Sequence, residues 1–293
     1  MENNSLNVLI LAAGLGTRLR PLTNGIPKPL VPVVDASILD LQARKARSIG
    51  DVRLHANAHY LAEQVVAAGK SLGFERVWVE PEILGTAGPL RRIYAEGYRG
   101  GLLVMNGDAY CNFDLKRFVR NAQAMAAQPG GAQVALLAVD FSQVNTFRVD
   151  VDGRLAGVVG RFGSAEGVAA TFSGVSWYSD GALSRIREGE FDIREFWKQE
   201  IAAGRAPFVD MTQLHTTWID MGSPEGLMSA VEARLKELGR SPYEAVVEPG
   251  VELPPGVTVK HSVIYAGAEI EPGETIENEI RGKVFKWKVC LNH

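Results

Sequence analysis

Only two of the 293 residues are cysteine, Cys111 and Cys290, and they stand far apart in the chain. That excludes a disulfide framework and a four-cysteine metal site, and it fits a reducing cytoplasm. Histidine is scarce too: His55, His59, His215, His261 and His293 are scattered without the spacing of a metal site. The apolar run within MENNSLNVLILAAG is too short to cross a bilayer, and no basic segment precedes it as in a signal peptide. A membrane association is therefore not expected. Nor is there an excess of positive charge. The formal net charge of -3 gives a nucleic-acid polymer no electrostatic support, whereas a small anion needs only a local positive pocket. What is present is ordinary: 46% hydrophobic and 22% charged residues describe a folding globular chain, about two domains long or one large domain plus a smaller piece.

The run from Val8 to Ala13 is uniformly apolar and breaks at Gly14, the pattern of a parallel strand covered on both faces. Further strands are predicted at Val52 to Ala56, Arg76 to Val79, Leu102 to Met105 and Val134 to Val139, with helices over Ile38 to Ile49 and Leu61 to Leu72. This alternation predicts an α/β fold with a mostly parallel, doubly wound nucleotide-binding sheet. Ligands of such sheets bind beyond the carboxyl ends of the strands, where Gly14 to Arg18, Glu80 to Gly88 and Asn106 to Asp108 all fall. A helix after Gly226 ends before Ser241-Pro242, so residues 1–240 are expected to form one domain. Beyond it Val251, Val257 and Val263 recur every six residues and then slip by one to Ile270 and Ile276. Over residues 241–282 this predicts a short left-handed β-helix-like segment. It is too short to stand free and is expected to pack on the main domain. An irregular Pro/Gly-rich tail is the alternative. Residues 283–293 are basic and aromatic and carry no functional reading.

Residues 11–33, LAAGLGTRLRPLTNGIPKPLVPV, hold the most information. Gly14 and Gly16 remove side chains where backbone must approach a phosphate, and Arg18 and Lys28 add two cations. The glycines alone fit a tight strand-to-helix turn equally well. A dinucleotide fingerprint would need glycine at Leu19, and a P-loop would need Gly-Lys-Ser/Thr, so both fail. Pro27 and Pro29 hold Lys28 on stiff backbone expected to be non-helical. Asp108 follows an apolar strand, and Asp220 lies in Trp-Ile-Asp-Met-Gly, so two acids distant in sequence have the means to meet at one oxygen-loving ion. Read alone, without the other motifs, Asp108 after Asn-Gly is more commonly a solvated turn aspartate. No serine or cysteine has a partnered base in view.

Taken together these segments resemble the signature of the sugar-phosphate nucleotidyltransferase family, Gly-x-Gly-Thr-Arg-Leu followed by Pro-Lys-Pro. The similarity continues through EPEILGTAGPL (80–90), NGD (106–108) and WIDMGSPEGL (218–227), in the family's order. It implies transfer of a nucleoside monophosphate from a nucleoside triphosphate to a sugar-1-phosphate, with Mg2+ as the ion. By that resemblance Arg18, Lys28 and Asp108 are catalytic and Asp108 and Asp220 hold the metal. Leu11, Ala13, Gly14, Gly16, Thr17, Glu80, Gly85 and Thr86 line the nucleotide site, and Gly174 lies at the sugar. The family's Glu-Lys-Pro is replaced here by Gly160-Arg161-Phe162, where Arg161 is either the substitute phosphate ligand or a plain surface arginine. Thr146-Phe147-Arg148 stands for the usual Tyr-Gly, which leaves the sugar open.

Glu80 sits where uridylyl and thymidylyl transferases tend to place a glutamine. An ionised carboxylate only accepts hydrogen bonds, so it suits guanine's adjacent donors and favours GTP, with cytosine as a lesser fit. Otherwise Glu80 points to solvent or pairs with Arg91 or Arg92. Two other functions compete: a non-catalytic nucleotide-sugar-binding regulatory subunit of the same fold, and an acyltransferase built on the hexapeptide repeats. Intact Arg18, Lys28, Asp108 and Asp220 speak against the first, and the short tail against the second. A homo-oligomer is compatible with all three.

Overall fold

The structure, a computed structural model, describes residues 5–290. The chain opens with β1 (Leu6–Leu11), followed by a small hairpin of β2 (Pro32–Val33) and β3 (Ala36–Ser37). Strands and helices then alternate through α1 (Ile38–Arg47), β4 (Val52–Ala58), α2 (Ala62–Ser71), β5 (Arg76–Val79), α3 (Ala87–Ala95) and β6 (Leu102–Asn106). After β7 (Ala109–Cys111), α4 (Leu115–Ala126) and β8 (Val134–Val139) come the short β9 (Phe147–Val149), β10 (Leu155–Val158) and β11 (Phe162–Gly163). These lead into the long β12 (Val168–Tyr178), then α5 (Asp180–Leu183), α6 (Ile193–Ala202), β13 (Phe208–Asp210), β14 (Trp218–Asp220) and α7 (Pro224–Glu237). Local chemistry explains the helix boundaries. Ser37 accepts from the Asp40 amide at the start of α1, Asp40 lies in the first turn, and Arg44, Lys45 and Arg47 complement the helix dipole in the last.

The central sheet runs β5-β4-β1-β6-β12-β8-β13, and β9, β10 and β11 extend it from the first residues of β12. The pairs β5/β4, β4/β1, β1/β6 and β8/β13 are parallel. β12 is antiparallel to both β6 and β8, a reversal that the apolar pattern did not announce. Successive residues face opposite sides of the sheet. Val8, Ile10, Leu103 and Met105 pack with Leu39, Val65 and Phe118 from α1, α2 and α4. Leu9, Leu102 and Val104 pack with Leu90, Leu183 and Trp197 from α3, α5 and α6. Helices therefore cover both faces, and no helix among the described residues is long and apolar enough to cross a membrane.

A third cluster joins α7 to the C-terminal part. Val31, Ile38, Met221, Leu227 and Val231 pack with Val263, Tyr265 and Ile280, and the Tyr265 hydroxyl donates to the Pro32 carbonyl at 2.9 Å. In that part β15 (Val246–Val247), β17 (Val263–Ile264) and β19 (Glu279–Gly282) stack in parallel, as do β16 (Thr258–Lys260) and β18 (Thr275–Glu277). Val246 lies over Val263 and Val263 over Ile280, a stacking repeat of 17 residues. Beyond residue 282, where the expected β-helix-like segment ends, β20 (Phe285–Lys288) folds back antiparallel on β19 and makes the sheet mixed, so the β-helix reading is not borne out. That hairpin absorbs most of the basic tail; residues 291–293, with His293, lie outside the described residues.

Candidate active site

Leu11, Ala13, Gly14, Gly16, Thr17, Arg18, Lys28, Gly85, Thr86 and Asp108 line one cleft of about 310 Å³ at the carboxyl ends of β1 and β6. Ten residues singled out in the sequence are thus brought together. Gly16 takes a left-handed conformation (φ 62°), with its carbonyl accepting from Thr23 Oγ1 at 2.7 Å. Lys28 is buried, and it opens a single 3-10 turn, Lys28–Leu30. The expectation of non-helical backbone there is corrected: Pro29 lies in the first turn, where its missing N–H costs no hydrogen bond.

Two acids meet because of a strand register. β14 pairs antiparallel with β7, Asp220 lies opposite Ala109, and the Met221 amide donates to the Asp108 carbonyl at 3.3 Å. Their carboxylates share Lys28, whose Nζ is 3.0 Å from Asp108 Oδ2 and 3.9 Å from Asp220 Oδ1. Arg18 Nη1 stands 3.2 Å from Asp220 Oδ2. The pair offers oxygen ligands only, and among the described residues no cluster of three or more His, Cys, Asp or Glu could hold an ion alone. Such a set fits Mg2+, which takes one or two carboxylates and completes its octahedron with phosphate oxygens and water.

Glu80 does not line this cleft. It is buried, Oε1 accepts from Asn57 Nδ2 at 2.9 Å, and Oε2 accepts from the Leu84 amide at 3.1 Å. Asn57 Oδ1 in turn accepts from the Ala12 amide at 2.9 Å. Both carboxylate oxygens thus take part in a network that ties the loops after β1 and β5 to the end of β4. The solvent and arginine alternatives fall, since Arg91 pairs with Glu188 and Arg92 with Glu96. Asn106, from the NGD segment, lines the cleft as its place at a strand end implied, and Asn57 lines it too but was missed by sequence reasoning, which had no charge or glycine pattern to flag it.

A second cavity of about 270 Å³ adjoins the first and shares Thr86 and Asn106 with it. Gly174 lines it with φ 84°, and a Cβ there would lie 2.7 Å from Asn106 Cγ, so the close approach requires glycine. Thr146 and Phe147 line it as well. Arg161 does not; it is exposed, although its charge acts on Asp192. The arginine that faces this cavity is Arg194, forked onto Asp192 with Nε to Oδ1 at 2.8 Å and Nη2 to Oδ2 at 2.7 Å. Those bonds hold the Asp192 carboxyl below its ordinary value. Across the cavity Tyr178 is pushed up to about 12 by burial. Arg194 escaped notice because its segment, FDIREF, carries no glycine or paired-acid pattern.

The nucleotidyl transferase family profile matches residues 7–148. N-acetylmuramate alpha-1-phosphate uridylyltransferase of Caulobacter vibrioides is 30% identical over 239 residues, covering 78% of this chain and 96% of that protein. The mannose-1-phosphate guanylyltransferase catalytic subunit beta of Drosophila pseudoobscura pseudoobscura is 28% identical over 246 residues, 80% of this chain and 64% of that one. Among solved structures, HddC from Yersinia pseudotuberculosis complexed with GMP-PN superimposes with a TM-score of 0.62 at 22% identity, over 78% of this chain and 99% of that one. Nearly full coverage of a 30% identical relative and a shared fold lead to one conclusion: the chain belongs to the nucleotidyl transferase family, among enzymes that act on sugar phosphates.

Proposed function

We propose that this chain transfers a nucleoside monophosphate from a nucleoside triphosphate to a sugar-1-phosphate and releases pyrophosphate, with Mg2+ held by Asp108 and Asp220. The observation that carries the proposal is the convergence of Arg18, Lys28 and Asp108 at one cleft whose wall is the glycine loop after β1, with Asp220, which does not itself line the cleft, paired to Arg18 and Lys28. A sugar-1-phosphate is already an anionic nucleophile, so the reaction needs positioning and charge stabilisation rather than a general base. Arg18 and Lys28 hold the triphosphate oxygens, and Gly14 to Thr17 let the backbone approach them. Magnesium, when bound, neutralises developing phosphate charge. The cavity beyond Thr86 and Asn106 takes the sugar, with Gly174 beneath it and Arg194, rather than Arg161, facing it. Cytoplasmic residence follows the supply of nucleoside triphosphates, and a homo-oligomer remains compatible.

For the nucleotide we propose GTP. The support is chemical: a carboxylate at Glu80 accepts from guanine's adjacent donors and offers nothing to the carbonyls of uracil. Against it, both oxygens already serve Asn57 and Leu84. Relatives of this chain are named for both guanylyl and uridylyl transfer, so they do not choose. Pyrophosphate release measured across nucleoside triphosphates and sugar-1-phosphates decides. The expected outcome is GTP-dependent release that falls about a hundredfold or more in Arg18→Ala, a loss typical of one preorganised donor. Asp108→Asn and Asp220→Asn should abolish most of it, and Glu80→Gln should reduce the GTP preference. Full activity in excess chelator, or near-parental turnover in folded Arg18→Ala, refutes the mechanism; strong preference for UTP or dTTP refutes only the choice of base.

A further inference from the structure

Arg18 and Lys28 contact the two acids that the proposed function assigns to the metal. Arg18 Nη1 lies 3.2 Å from Asp220 Oδ2 and Nη2 3.5 Å from Oδ1, while Lys28 Nζ lies 3.0 Å from Asp108 Oδ2. The four formal charges sum to zero. A divalent cation arriving by itself must therefore dislodge a guanidinium and an ammonium, or sit beside both. A triphosphate changes this balance. Its oxygens are better partners for Arg18 and Lys28 than a single carboxylate, and drawing the two cations away frees the acids.

A second feature builds the contact. Gly222 follows β14 directly, and a Cβ there would lie 2.1 Å from Arg18 Cζ and Nη2 and 2.3 Å from Nη1. The guanidinium thus lies in the space a side chain would fill. Gly222 is outside the left-handed region, so its backbone admits other residues and the constraint is this contact alone. The Arg18 side chain is 63% exposed, so little else fixes it.

We infer that Arg18 and Lys28 are internal counter-ions of Asp108 and Asp220, seated for Arg18 by Gly222, and that they couple the uptake of the divalent ion to that of the triphosphate. This rests on the metal site proposed above. Coupling free energies are reciprocal, so the ion must tighten the nucleotide by the same factor as the nucleotide tightens the ion. Gly222 is on this account a positioning residue, acting through Arg18.

The test is Mn2+ binding to the full-length chain, followed by electron paramagnetic resonance of free Mn2+ in the absence of nucleotide. Arg18→Gln and Gly222→Ala should each bind Mn2+ at least about fivefold more tightly than the parent, the lower end of typical coupling factors. In the parent, Mn2+ should tighten the α,β-methylene analogue of GTP, and that enhancement should shrink in both variants. Equal Mn2+ affinity in the parent and both variants overturns the inference. Asp108→Asn/Asp220→Asn separates the two levels: Mn2+ binding that survives in this double variant shows the ion lies elsewhere and sinks the metal assignment itself.

Discussion

Glu80, Lys28 and His55 are polar or charged side chains buried in an apolar frame, and each is explained by a different neighbour. Glu80 is held by an amide side chain and a backbone N–H, Lys28 by a carboxylate, and His55 mainly by aromatic rings, Trp78 stacked at 5.3 Å and Tyr98 edge-on at 4.5 Å. A charge on the His55 ring has little to stabilise it there. Burial, with a lesser contribution from the Arg53 charge, lowers its pKa to about 4 from an ordinary 6.5. Between those values the unfolded chain binds a proton that the folded chain refuses. Stability from this residue is therefore full above pH 6.5 and declines as the pH falls toward 4, by about 3 kcal/mol in total. Urea unfolding midpoints from pH 4.5 to 7 should show that slope in the parent and a flatter one in His55→Gln. Equal slopes would mean that His55 is not the titrating group.

At the scale of elements, the sites depend on how strands end. β7 and β14 form a two-stranded ladder of three residue pairs, and its register alone brings Asp108 to Asp220. β12 carries the other device, a register shift between Phe172 and Val175 that contains Gly174 at φ 84°. Such a bulge redirects a strand, and here it brings backbone against Asn106 at the junction of the two cavities. Gly174→Ala should cost about 1 to 2 kcal/mol for the left-handed backbone, and it should displace Asn106. Its kinetic signature is a rise in KM for the sugar-1-phosphate with a smaller change for the nucleotide. A variant with parental stability and parental KM for both would remove Gly174 from the site.

For the molecule as a whole, the C-terminal strands are part of the packing of α7 and not an appendage. Val263, Tyr265 and Ile280 cover Leu227 and Val231, and Arg234 of α7 forks onto Asp35 with two contacts of 2.8 Å. Ending the chain at Arg240 would expose that apolar face, and exposed patches of this kind favour association. The truncated protein should aggregate or melt well below the parent. Ile280→Ala, which removes a fully buried side chain, should destabilise by about 2 to 5 kcal/mol. A soluble truncated chain with the parental melting temperature would show that residues 1–240 fold alone.

The strand positions were legible in the sequence because a strand buried on both faces must be apolar throughout, as Val8 to Ile10 and Val134 to Val139 are. The glycine loop, Lys28 between prolines, and the two acids were legible for a similar reason: each carries its chemistry in consecutive residues. By itself the sequence therefore determined the alternating α/β plan and most of the cleft wall. Tertiary structure decided what depends on partners distant in the chain. The antiparallel course of β12 is set by the strands flanking it, and no pattern within its own residues records direction. The engagement of Glu80 depends on Asn57, 23 residues away, and the place of Arg194 rather than Arg161 on the wall of the second cavity on where α6 begins. Hydrogen bonds and charge pairs act over a few ångströms in space, whereas a local motif reads only neighbours along the chain.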